Sequence, residues 1–195
     1  MLSFEDGEKF LDLARNSVKT YFSNKEPEDI QLKETFSKKQ GVFVTLHKNR
    51  QLRGCIGYPE PVIPLYDAVI KAARSAAFND PRFPPVSEDE LEDIKFEVSV
   101  LTIPEKVNVN EPDEYLKKVR IGKDGLIIRG YNSGLLLPQV AEEWKFNQQQ
   151  FLECVSEKAG MEKDAWKNLQ NEIYIFQAQI FSEEDAGEKE KPKNF

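Results

Sequence analysis

Apolar positions change their spacing several times along this 195-residue chain, and each change marks an element. Phe10, Leu13, Ala14, Val18 and Tyr21 recur every three or four residues behind Ser3 and Asp6, which resemble an N-terminal cap. That spacing predicts a first helix to about Phe22. Residues 23–34 are polar, contain Pro27 and read as a surface connection. Residues 41–47 are rich in strand formers, residues 48–51 make a turn, and residues 52–58 return as a second strand. The second arm of this hairpin holds Leu52, Arg53, Gly54, Cys55, Ile56 and Gly57. Pro64 suits the first turn of a helix, in which Leu65, Ala68, Val69, Ala72, Ala73 and Ala76 form a small-residue apolar stripe fit for close packing on a sheet.

Residues 78–85, with three prolines, predict a rigid irregular connector, and Ser87 with Glu90 predicts a capping box. A strand follows over 96–103, then a short helix after Pro112, a strand at 126–128, a turn over 130–134 and a strand at 135–137. Pro138 opens another helix. Residues 148–159 continue as a helix capped by Gly160, and 172–181 read as one long strand. Tight turns between strands favour an α+β fold with a mixed, largely antiparallel sheet packed with helices. One compact domain with a larger and a smaller lobe is expected over residues 1–182, followed by a charged, disordered tail over 183–195.

Composition narrows the function classes. The formal charge of −7, without a dense Lys/Arg run, argues against nucleic-acid and anionic-membrane partners. The N-terminus lacks the basic and apolar blocks of a signal peptide, and no apolar run reaches the roughly 20 residues of a membrane span, so a cytoplasmic location is expected. Cys55 and Cys154 lie in unlike contexts, and a disulfide between them is not expected in a reducing compartment. With one histidine and no closely spaced cysteine pair, no metal site is implied. The glycines at 54 and 57 fit neither a dinucleotide fingerprint nor a phosphate loop, so no cofactor is implied.

Cys55 is the first candidate for chemistry, as a nucleophile whose pKa a flanking cation would lower. Arg53, two residues away, shares its face on a regular strand. The alternative is that Cys55 packs as a small hydrophobe while Gly54 and Gly57 serve close packing. His47 is the only histidine available to a Cys–His pair. With residues 48–51 as the turn, His47 opposes Leu52 and Val44 opposes Cys55, so the imidazole and thiol face opposite ways unless a bulge intervenes. Asp80, Pro81 and Arg82 form a second constellation: Arg82 as an anion clamp and Asp80 as a candidate base, or the two as an internal salt bridge. Gln139, just after Pro138, offers a polar head to a cleft or simply caps its helix.

Taken together, residues 52–57, 41–46, 80–85, 123–128 and 135–141 resemble the AMMECR domain family in its single-domain microbial form. The six-residue signature is intact at 52–57. The resemblance implies an intracellular α+β domain with a groove near the signature, and carries no settled biochemical activity. Genomic association and fusion in the family imply Memo-type and radical SAM proteins as partners. Three readings follow. The domain binds a small molecule or a protein at the signature through Arg53, Gly54, Gly57, Arg82 and Gln139. Alternatively it is an enzyme using Cys55, with Asp80 as base, on a small anionic substrate. In the third reading, the signature mainly stabilises the hairpin.

Overall fold

The computed structural model describes residues 2–27, 29–183 and 193–194. In chain order the elements are α1 (Phe4–Tyr21), α2 (Ile30–Thr35), β1 (Val42–Lys48), β2 (Gln51–Tyr58), α3 (Leu65–Phe78), β3 (Ile94–Leu101), β4 (Glu105–Lys106), α4 (Tyr115–Lys118), β5 (Gly125–Arg129), β6 (Ser133–Leu136), α5 (Pro138–Glu143), α6 (Gln148–Lys158), β7 (Glu172–Phe176), β8 (Ala178–Ser182) and β9 (Lys193–Asn194). The strands form two sheets, ordered β2-β1-β3-β8-β9 and β4-β7-β5-β6. β1 runs antiparallel to β2 and β3, as β7 does to β4 and β5. The α+β class and the largely antiparallel pairing are as expected, the strands being divided between two antiparallel sheets. Two units result: the first runs to Leu101 and resumes at Gln179, and the second is Thr102–Ala178.

In the first unit, Ser3 and Asp6 close the expected capping box on α1. The helix α2 interrupts the segment read as a plain connection. Asp29 caps it, but none of its residues is buried, so no apolar stripe marks it in the sequence. Val42, Val44 and Leu46 of β1 and Phe96, Val98 and Val100 of β3 pack in one core with Phe10, Ala14 and Val18 of α1 and the alanine stripe of α3. That stripe brings α3 so close that Gly54 of β2 lies directly beneath the Ala76 carbonyl, where no Cβ fits. At Gly57, a Cβ would meet the Phe43 ring and the Val42 carbonyl.

The predicted long strand over 172–181 is two strands. Gln177 separates them, with its N–H donating to Thr102 Oγ1 and its carbonyl accepting from the Thr102 N–H. The change of sheet breaks strict alternation: Ile173, Phe176, Ala178 and Phe181 are the buried positions, so a run of apolar residues that reads as one strand serves two sheets. Glu183, at the start of the predicted tail, is built into the first unit. Its carboxylate receives the Arg15 guanidinium at 2.6 and 2.8 Å and the Phe96 N–H at 2.8 Å. Arg15 also donates to the Leu91 and Ile94 carbonyls and sits 4.8 Å from the centre of the Phe96 ring. Residues 184–192 and 195 of that tail lie outside the described residues.

The second unit gathers Leu126, Ile128, Phe151, Leu152, Val155, Trp166 and Ile173 into its own core. Asn147 and Gln150 cap the start of α6, and Gly160, at φ +68°, follows its end in the left-handed conformation that suits glycine. Cys154 is partly buried against this core.

Replacing Gly54 by alanine forces a methyl group into the backbone of α3, and the expected loss is about 3 kcal/mol, the upper end for overpacking. Cys55→Ala, one residue on, removes a half-buried side chain and is expected to lose about 1 kcal/mol. Urea denaturation of both variants checks the contrast.

Candidate functional site

The hairpin loop between β1 and β2 consists of Asn49 and Arg50, both at positive φ (51° and 61°). Two left-handed residues in succession give the tight turn whose twist matches the flanking strands. Lys48 therefore faces Gln51, and His47 faces Leu52. Beyond this point the pairing shifts by one: Leu46 faces Gly54, Thr45 faces Cys55 and Val44 faces Ile56. Arg53 is thus the extra residue of a β-bulge.

The bulge overturns the expected arrangement around Cys55. Without it Val44 would oppose the cysteine, and the thiol would point towards α3. With it Cys55 turns to the outer face, which it shares with Phe43, Thr45 and His47. The β1–β3 register extends that face into three rows: Leu52, His47 and Lys95; Cys55, Thr45 and Glu97; Gly57, Phe43 and Ser99. His47 and Cys55 therefore share a face, contrary to expectation, although no hydrogen bond among the described residues joins them. Thr45 Oγ1 instead donates to Cys55 Sγ at 3.3 Å.

Asp80 and Arg82 grip the backbone of Cys55. The buried Asp80 carboxylate accepts the Cys55 N–H at 2.9 Å and the Arg82 guanidinium at 2.7 and 2.9 Å. Arg82 Nη2 also donates to the Cys55 carbonyl at 3.3 Å. Hydrogen bonding to Arg82 holds Asp80 well below the usual carboxylate range, with the Cys55 and Arg82 N–H groups adding to the effect. A carboxylate so held is a poor proton acceptor, which speaks against Asp80 as a base. Burial pushes the Cys55 thiol up, against the opposing pull of the Thr45 hydroxyl and Arg82; Glu97 and Asp80 push it further up.

Arg53 does not act as the activating cation. The bulge sends its guanidinium to Glu90, which receives Nε and Nη2 at 2.8 and 2.9 Å, and Lys48 joins the same carboxylate at 3.2 Å. The side chains of Arg53 and Glu90 are only 12% and 17% exposed. Glu90 is lowered to about 2, chiefly by the Arg53 hydrogen bonds. The predicted capping box is absent for the same reason: Glu90 reaches Arg53 rather than the Ser87 backbone, leaving only a short 3-10 turn at Leu91–Asp93. The Phe83 ring lies 5.9 Å from the Arg53 guanidinium and 5.5 Å from that of Arg82.

Six of the expected residues, Arg53, Gly54, Cys55, Gly57, Asp80 and Arg82, thus gather around β2. The glycines do not open the backbone to a ligand as expected, because α3 and Phe43 occupy the space beside them. Gln139 belongs to the second unit, at the start of α5, with Oε1 buried and without a hydrogen-bond partner. Sequence reasoning missed Thr45, Glu90 and Glu97. The signal for the first lay in the alanine stripe: a glycine must face it, and only a bulge lets Gly54 do so. Among the described residues no three His, Cys, Asp or Glu side chains converge to hold a metal ion, and no helix is long and apolar enough to cross a membrane.

An edge-strand cysteine gripped through its main chain thus sits on an α+β scaffold with two antiparallel sheets. The AMMECR1 family model matches residues 11–181, so the chain belongs to that family. It is 48% identical to a protein of Methanothermobacter thermautotrophicus over 188 residues, covering 94% of this chain and 97% of that protein. A protein of Methanocaldococcus jannaschii is 46% identical over 192 residues, with 96% of each chain covered. The crystal structure of an uncharacterised protein from Pyrococcus horikoshii superposes with a TM-score of 0.89 at 41% identity, over 100% of this chain and 99% of that one.

Both clamp carboxylates titrate lower in the folded chain than the roughly 4 of an unfolded one. Their stabilisation is therefore complete above about pH 5 and is lost as pH falls through 4 towards 2. Glu90→Gln is expected to cost about 3 kcal/mol at pH 7, because it leaves a largely buried guanidinium unpaired. It should also flatten the acid-side fall in stability. Urea denaturation of wild type and variant from pH 7 to pH 2.5 checks both outcomes.

Proposed function

We propose that this AMMECR domain is a binding module whose recognition surface is the outer face of the first unit's sheet at residues 52–57. The row of Cys55, Thr45 and Glu97 carries this reading: thiol, hydroxyl and carboxylate lie side by side across three strands, with His47 and Lys95 in the next row. These are hydrogen-bonding and charged groups on a rigid scaffold, the equipment of recognition. Burial keeps the thiol protonated, and the nearby carboxylate of Asp80 is committed to the backbone clamp. Binding needs neither a thiolate nor a base, whereas a nucleophilic Cys55 acting on an anionic substrate needs both.

The occupant fitting the family's association is a protein of the Memo-type or radical SAM class, and Arg82, half-exposed, would meet an anionic group on it. Calorimetric titration of the purified chain with each of these proteins tests the reading. Thr45→Lys, which sets a long cation in the middle of the row, is expected to weaken binding at least tenfold, and Cys55→Ser to change it less than threefold. Undiminished binding by Thr45→Lys, or no binding to either protein, would sink the proposal.

A further inference from the structure

Two local demands conflict in the hairpin. The two-residue loop of Asn49 and Arg50 fixes His47 opposite Leu52. Continued regularly, that register would set Thr45 opposite Gly54 and Val44 opposite Cys55. It would place the cysteine on the α3 side, where the backbone at Ala76 has no room even for the Cβ of residue 54. One extra residue reconciles loop and helix, and that residue is Arg53.

A bulge leaves its residue out of the ladder, so what that side chain contacts helps to hold it in place. Here the holding group comes from outside the hairpin. Glu90, just before the Leu91–Asp93 turn, takes both Arg53 Nε and Nη2, and Lys48 at the mouth of the loop reaches the same carboxylate. Arg53 Nη1 is buried without a hydrogen-bond partner among the described residues, so Glu90 is the one charged group there that takes this guanidinium.

We infer that Arg53 and Glu90 are the positioning residues of the signature: their ion pair stabilises the bulge that loop and helix packing place at residue 53, and so holds Cys55 on the outer sheet face against slippage to the other. The inference rests on the reading of that outer face as the recognition surface. Its test needs no ligand, so the two can fail separately.

Engineered cross-strand disulfides report the register. The Cys55 N–H and carbonyl are given to Asp80 and Arg82, so residues 45 and 55 form a non-hydrogen-bonded pair, the closest kind across antiparallel strands. Thr45→Cys should therefore oxidise to a 45–55 disulfide in the wild-type background under copper-phenanthroline, while Val44→Cys should not pair with Cys55. Adding Glu90→Gln is expected to lower the 45–55 yield at least threefold and to make the 44–55 disulfide appear, both mapped by peptide mass spectrometry. Simple destabilisation lowers the melting temperature without exchanging one disulfide for the other. Unchanged yields in the Glu90→Gln background, or loss of the 45–55 disulfide without gain of 44–55, would overturn the inference. If Glu90→Gln does not fold, Arg53→Lys, which keeps the charge but loses the two-pronged contact, takes its place, and the same exchange of disulfides decides the outcome.

Discussion

The contact between Gly54 and the carbonyl of Ala76 constrains more of this molecule than any other. A helix reaches a sheet that closely only if its facing side is small and the strand beneath lacks a side chain at the point of contact. The alanines of α3 meet the first condition and Gly54 the second. Once that point is fixed, the hairpin loop and the helix disagree by one residue about the register, and the bulge at Arg53 absorbs the difference. The direction of Cys55 is therefore a consequence of helix packing, transmitted through the strand.

Charge then holds what packing has arranged. Two buried or largely buried carboxylates, Asp80 and Glu90, each face an arginine, and each pair is fastened to β2. Neither pair is arranged for proton transfer, because both acids stay ionised throughout the ordinary pH range. A structural consequence follows from β2 being the edge of its sheet. Asp80 and Arg82 occupy the outward N–H and carbonyl of Cys55, groups that would otherwise recruit a further strand. Pro81, between Asp80 and Arg82, and Pro84 and Pro85 just beyond limit the entropy lost in holding this connector in place.

Elements with an apolar face were legible in the sequence. Ser3 and Asp6 marked α1, the alanine stripe marked α3, and Gly160 marked the end of α6. Elements without such a face were not: α2 buries nothing, and the break at Gln177 falls inside an apolar-rich run that reads as one strand. At the site, residues 53–57 and the Asp80–Arg82 pair were each legible as candidates, but their meeting was not, because nothing in the sequence folds the connector over the hairpin. Face and partner did not follow. Parity along a strand is lost at a bulge, and Glu90 looked like a helix cap because Ser87 stands three residues before it. The competitor that won, Arg53, is 37 residues away in sequence.

The grip on Cys55 acts through its main chain, so Asp80 and Arg82 would hold almost any residue at that position. What is particular to cysteine must therefore lie in its side chain on the outer face. Thr45 already donates its hydroxyl hydrogen to Sγ, and burial keeps the sulfur protonated, which leaves one S–H to offer outward. A neutral, polarizable group of that kind sits between Thr45 and the sheet edge while Glu97 supplies negative charge on the other side of the row. Reactivity would require the reverse arrangement, an electropositive surround and a lowered pKa. The bulge that lets Gly54 meet α3 thus also turns the signature cysteine to the outer face, in surroundings that do not activate its thiol.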